Sequence, residues 1–233
     1  LTKGIARLAS KSNDSIFHLK QAMGGGKTHL MVGFGLLAKD PYLREALVGY
    51  IPYQSEFEKA KVAAFNGRVH PDSYFWGDIA EQLGKAHLFR EYWERGIKAP
   101  DEKAWLNLFD DDSPILILLD EMPPYFQYYS TQELGNGTVA DVVTNAFSNM
   151  LSAAQKKSNV AIVVSDLDAA YETGGKLIKR ALDDARQELG RAEVSITPVN
   201  LESNEIYDIL RKRLFLSLPN QSEIADIAEV YAK

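Results

Sequence analysis

Three consecutive glycines followed by Lys27 and Thr28 are the residues in this chain best suited to chemistry. They lie in SIFHLKQAMGGGKTHL, where an apolar run precedes the glycines and a helical stretch follows. A glycine loop in that place turns successive backbone N–H groups toward one point, where side chains would block a phosphate. The helix behind it adds free N–H groups and the positive end of its dipole. Gln21, Ala22, Met23, Gly24, Gly25, Gly26, Lys27, Thr28 and His29 are the expected phosphate-binding set. Lys27 is expected to reach the β- and γ-phosphates, and the Thr28 hydroxyl to ligate Mg²⁺. The usual first glycine of such a loop is replaced by Gln21, and Gly24 and Gly25 supply the freedom instead.

A second constellation lies downstream in SPILILLDEMPPYF. Five consecutive apolar residues, Ile115 to Leu119, read as a central parallel strand buried on both faces. Asp120 and Glu121 then stand at its C-terminal end, where ligands bind in an open α/β sheet. Asp120 is expected to hold Mg²⁺ through water, and Glu121 to orient and polarise an attacking water. Three other polar residues are placed for a γ-phosphate. Asn66 sits near the C-terminal end of the strand AKVAAFNGR, and Ser165 and Asp166 end NVAIVVSD. Arg191, just before the last strand, is the candidate arginine finger acting across a subunit interface. The bound species is expected to be ATP with Mg²⁺, since the N-K-x-D string that reads guanine is missing.

These residues need a scaffold, and the pattern around them supplies one. Residues 3–11 read as a short helix, and the helix from Lys27 stops near Asp40-Pro41, with one more turn over 41–48. The spacing predicts a strand from Ala60 to Arg68, a long helix from Ser73 to about Gly96, and a short one over 101–109. Trp76, Trp93 and Trp105 fall in apolar stripes and are expected in the core. The aromatic run YFQYY at 125–129 is expected to pack beneath a loop. Thr138 is a plausible N-cap for a helix reaching about Lys157, and strands follow at NVAIVVSD and AEVSIT. Right-handed crossovers then favour an α/β fold of the P-loop NTPase kind, a five-stranded mostly parallel sheet with helices on both faces. Residues 1–200 form that core and 201–233 begin a helical lid.

Composition narrows the classes. The chain has no cysteine, which excludes disulfides and cysteine-based metal sites and fits a cytoplasmic setting. No apolar run is long enough to span a bilayer, so no membrane partner is expected. A net charge of −6 offers no general attraction to nucleic acid. The chain opens on Leu1 and ends at AEVYAK in mid-pattern, which reads as a piece of a longer protein.

A glutamate directly after the Mg²⁺ aspartate, with an extra strand between the two motifs, resembles the additional-strand glutamate class of P-loop ATPases. The polar end of NVAIVVSD, the late arginine and the trailing helices look like an AAA+ module. That resemblance implies that Ser165 or Asp166 acts as sensor 1 and that Asn66 restrains the catalytic glutamate. The combination GGGKTH, WGDIAEQLG, LLDE and ITPVN…EIYDILRKRLF is similar to the bacterial ATPases catalogued as domain of unknown function 499, from about Ile16 to Phe215. It implies an ATPase module of a large protein encoded beside DNA methyltransferases and nucleases in phage-defence clusters. A homo-oligomer or larger complex is expected with it, and any DNA contact would come through parts outside this chain. Two other readings stand beside it: a nucleotide-gated assembly switch with little hydrolysis, and a DNA-stimulated remodelling or loading ATPase.

Overall fold

A computed structural model describes residues 1–20, 26–166, 175–181 and 194–196. Its centre is a parallel sheet whose strands alternate sides so regularly that they build two separate cores. The strands are β1 (Ile16–Lys20), β2 (Lys61–Asn66), β3 (Ile115–Asp120) and β6 (Val160–Asp166), in the order β2-β3-β6-β1. The short strand β7 (Val194–Ile196) pairs in parallel with β1 at its other edge. A small antiparallel hairpin, β4 (Glu133–Leu134) with β5 (Gly137–Thr138), stands apart.

Every residue of β3 is buried, as its continuous apolar run requires of a strand covered on both faces. Ile115, Ile117 and Leu119 point to one side with Phe65, Ile162 and Val164; Leu116 and Leu118 point to the other with Phe17, Leu19 and Val163. The first side is covered by α4 (Phe75–Gln82), α6 (Glu102–Leu108), α7 (Met122–Ser130) and α8 (Val139–Lys156). The second is covered by α1 (Thr2–Leu8) and α2 (Lys27–Lys39). Tyr92 of α5 (Glu91–Glu94) and Ile178 and Ala181 of a helix at 175–181 join the first core, and α3 (Pro41–Val48) packs against α2.

Local chemistry sets the ends of these helices. Asp40 caps α3, accepting from the N–H groups of Tyr42 at 2.9 Å and Leu43 at 3.1 Å, with Pro41 in the first turn. The Thr138 N–H donates to the Asp141 carboxylate at 2.7 Å at the start of α8. Arg7, only 2% exposed, ties α1 to the rest of the sheet layer. Its guanidinium donates to the carbonyls of Val160 at 2.9 Å and Ala154 at 2.8 Å, and to that of Lys157. Two of these carbonyls belong to the end of α8, which has no helical partners of its own to offer them.

Two expectations are corrected. The segment from Ser73 to Gly96 is not one helix: α4 ends at Gln82, a 3-10 turn follows over Ala86–Leu88, and α5 is separate. Gly84 is the cause, since its left-handed φ of +74° turns the chain back so that the Lys85 N–H bonds to the Ala80 carbonyl at 2.8 Å. The aromatic run 125–129 lies on a helix, α7, because Pro123 and Pro124 occupy its first turn, where no N–H is needed. Tyr125, Phe126 and Tyr129 are buried there and Tyr128 faces outward. Trp76 and Trp105 are fully buried, and Trp93 is partly buried against the same core. The lid expected over 201–233 lies outside the described residues.

Candidate active site

Parallel strands bring their C-terminal ends to one rim, and the register decides which residues meet there. Asn66 lies beside Asp120 across β2 and β3, and Leu119 beside Val164 across β3 and β6. On the far side of β6, Ser165 is level with Leu19 and Asp166 with Lys20. Insertion of β6 between β1 and β3 therefore sets the polar end of NVAIVVSD between the end of β1 and the acidic pair.

The closest contacts join α2 to β3. Gly26 takes the left-handed φ of +78° at the N-cap of α2, a conformation glycine adopts without cost. Lys27 follows as a 7% exposed residue. The Thr28 hydroxyl donates to Asp120 Oδ2 at 2.7 Å, although 92 residues separate the two. The other carboxylate oxygen, Oδ1, accepts from the Ser165 hydroxyl and from the Glu121 N–H at 3.1 Å. Ser165 is 1% exposed and Asp120 9%. Three donors from three elements thus orient one buried carboxylate.

Glu121 occupies a strained position. It is a non-glycine residue at φ +54° and ψ +40°, which costs roughly 1–2 kcal/mol for an L side chain. The kink directs its side chain away from the strand axis, toward the turn after β2. There Arg68 Nη2 stands 3.1 Å from Glu121 Oε2, a charge pair whose N–H is not aligned for a hydrogen bond. A cavity of about 280 Å³ opens beside the site, lined by Thr28, Asn66, Asp120, Met31, Val69 and His70 among others.

The expected residues are therefore distributed as follows. Thr28, Asp120, Ser165 and Glu121 are gathered at the rim, with Lys27 at the start of α2 and His29 exposed two residues on. Asn66 lines the cavity, but its side-chain carbonyl accepts from the N–H groups of Arg68 at 3.0 Å and Val69 at 3.1 Å. The polar contact on Glu121 comes instead from Arg68, which the sequence reading missed. Its signal was a cation two residues past a strand end that faces the acidic pair. Asp166 is placed at the end of β6 beside Lys20. Gln21, Ala22, Met23, Gly24, Gly25 and Arg191 lie outside the described residues.

The family model for the DUF499 N-terminal domain matches residues 68–191. The chain belongs to that family. The DUF499 match takes in Arg68, Asp120, Glu121, Ser165 and Arg191, while Lys27 and Thr28 stand before its first residue. No curated protein and no solved structure matches the chain.

Proposed function

We propose that this DUF499 domain is a P-loop ATPase core, counting β7 as the fifth strand, that binds ATP with Mg²⁺ and hydrolyses it. What carries the reading is the 2.7 Å contact between Thr28 at the start of α2 and Asp120 at the end of β3. It joins the glycine loop to the acidic pair that the reaction needs together. The donors suit a hard cation, since hydroxyl and carboxylate oxygens are what Mg²⁺ takes. Thr28 and Asp120 would hold it, and when bound it would neutralise phosphate charge. Lys27 and the first N–H groups of α2 bind and orient the phosphates. Ser165 fixes the Asp120 carboxylate, and Glu121 accepts a proton from the attacking water.

The test is Mg²⁺-dependent hydrolysis of ATP by the 233-residue chain beside Lys27→Ala and Glu121→Gln. Lys27→Ala should lose nucleotide binding, whereas Glu121→Gln should keep binding and lose turnover. Equal turnover in wild type and Glu121→Gln would overturn the assignment.

A second reading has one observation of its own. With Glu121 paired to Arg68 at 3.1 Å, the residue that should activate water is engaged elsewhere. A nucleotide-gated assembly switch with slow hydrolysis fits that arrangement, and ATP-dependent change in oligomer size with background turnover would favour it. The setting proposed with either is a cytoplasmic, larger bacterial assembly linked to phage defence or DNA modification.

A further inference from the structure

Among the described residues β2 is the outer strand of the sheet, with β3 on one side and no strand on the other. Successive residues of a parallel strand turn their backbone N–H and C=O groups alternately to its two sides. Lys61 and Gly67 face inward, their N–H groups donating to the carbonyls of Pro114 at 2.8 Å and Asp120 at 3.0 Å. The backbone groups of Ala60, Val62, Ala64 and Asn66 therefore face the outer edge. The chain itself engages Ala60, Ala64 and Asn66. The Ala60 N–H donates to the Ala38 carbonyl in the last turn of α2 at 2.9 Å, and the Asn66 carbonyl accepts from the His70 N–H at 3.1 Å. Between them Gln82, the last residue of α4, lays its side-chain amide along the strand. Its Nε2 donates to the Ala64 carbonyl at 2.8 Å, and its Oε1 accepts from the Ala64 N–H at 2.9 Å. Nε2 also donates to the Asp78 carbonyl at 3.2 Å, which ties the amide to its own helix. Gln82 and Ala64 are both exposed.

We infer that Gln82 is a guard on the sheet edge, standing in for one residue of a neighbouring strand and so keeping β2 from pairing with β2 of a second copy. A side-chain amide carries the same donor and acceptor as a peptide group, so Gln82 satisfies Ala64 as a strand would. An uncovered edge strand is a template for another chain, and charge is the usual deterrent. Here that deterrent is spent elsewhere: Lys61, the charged residue of β2, is held by Asp111 at 2.6 Å. A second copy suits this edge because β2 can meet itself antiparallel about a two-fold axis at Ala64. In that register Ala64 lies opposite Ala64, Val62 opposite Asn66 and Lys61 opposite Gly67, with no like charges opposed. The inference is independent of the nucleotide reading above.

The experiment compares the 233-residue chain with Gln82→Ala, Gln82→Lys and Gln82→Ala/Val62→Pro in the absence of nucleotide. Sedimentation velocity over a range of concentrations reads association, and hydrogen exchange at low concentration reads the Ala64 amide. Both single variants should speed exchange at Ala64 by about two- to tenfold, the worth of one hydrogen bond. Gln82→Ala should gain a species of twice the wild-type mass that grows with concentration. Gln82→Lys loses the same bonds but sets a charge at the edge, so it should keep the wild-type mass. Val62→Pro removes an outward N–H that β3 does not use, so the double variant should return to the wild-type mass. Gln82→Ala at the wild-type mass at every concentration would overturn the guard, as would unchanged exchange at Ala64. Association that Gln82→Lys shares, or that survives Val62→Pro, would overturn it too, since general destabilisation and not the β2 edge would then be the cause.

Discussion

Replacing Gly67 by alanine should destabilise the fold by about 1–3 kcal/mol, the range for forcing a methyl group into a packed site. The added Cβ would lie 2.5 Å from Tyr125 Cβ and 2.6 Å from the Glu121 carbonyl oxygen. Ordinary contacts begin near 3.4 Å, so the atoms must separate by about 1 Å. Neither neighbour can yield cheaply. One is the root of a fully buried tyrosine and the other is backbone at a residue already in the left-handed region. The shift would also stretch the bond from Gly67 N–H to the Asp120 carbonyl. Gly33→Ala is the internal control. That residue lies inside α2 with nothing within 4 Å of the place a Cβ would take, so alanine should stabilise by about 0.5–1 kcal/mol. Urea unfolding of the three proteins reads both effects as opposite shifts in midpoint at a constant slope. A Gly67→Ala chain as stable as wild type would refute the close approach of the β2 turn to Glu121.

Two further predictions concern stability. Tyr125 donates its hydroxyl to the Ser73 carbonyl at 2.8 Å and accepts from the Phe75 N–H at 3.2 Å, one of the unpaired donors that open α4. Burial, with Tyr129 nearby, pushes that hydroxyl well above the ordinary tyrosine range, so it stays protonated. Tyr125→Phe keeps the ring and loses both bonds, and should cost about 1–3 kcal/mol by chemical denaturation. Asp111 is the acid-sensitive group. Burial pushes its carboxyl up, but hydrogen bonds from Lys61 at 2.6 Å, from Lys85, and from the Ser113 N–H together hold it below the usual value. A depressed carboxylate stabilises the fold above its unfolded pKa of about 4 and loses that contribution as pH falls through the folded value. The stability gap between wild type and Asp111→Asn should be largest near neutral pH and close below about pH 4; a gap independent of pH would contradict it.

What the sequence alone determined was everything carried by local pattern. The run from Ile115 to Leu119 reads as a strand covered on both faces, and it is. Glycines before Lys27, Pro41 after Asp40 and Thr138 ahead of an amphipathic stretch set the bounds of α2, α3 and α8 to within a residue or two. Each depends on residues within one turn or one strand, where propensity and periodicity act. The same local view misjudged the segment after Ser73, because its apolar spacing continues past Gly84 while the backbone does not. It also drew no helix over residues 125–129, where Pro123 and Pro124 open one.

The tertiary structure decided who meets whom. Nothing local says that β6 enters the sheet between β1 and β3, yet that order alone puts the Ser165 hydroxyl on Asp120, 45 residues away. Thr28 and Asp120 could be named as partners from their motifs, but their 2.7 Å contact depends on α2 packing across the second face of the sheet. Arg68 was missed as a site residue because its place beside Glu121 follows from the register of Asn66 against Asp120 and from the room left by Gly67. Strand order, register and close approach are settled by the burial of both sheet faces at once, a constraint that no window of sequence contains.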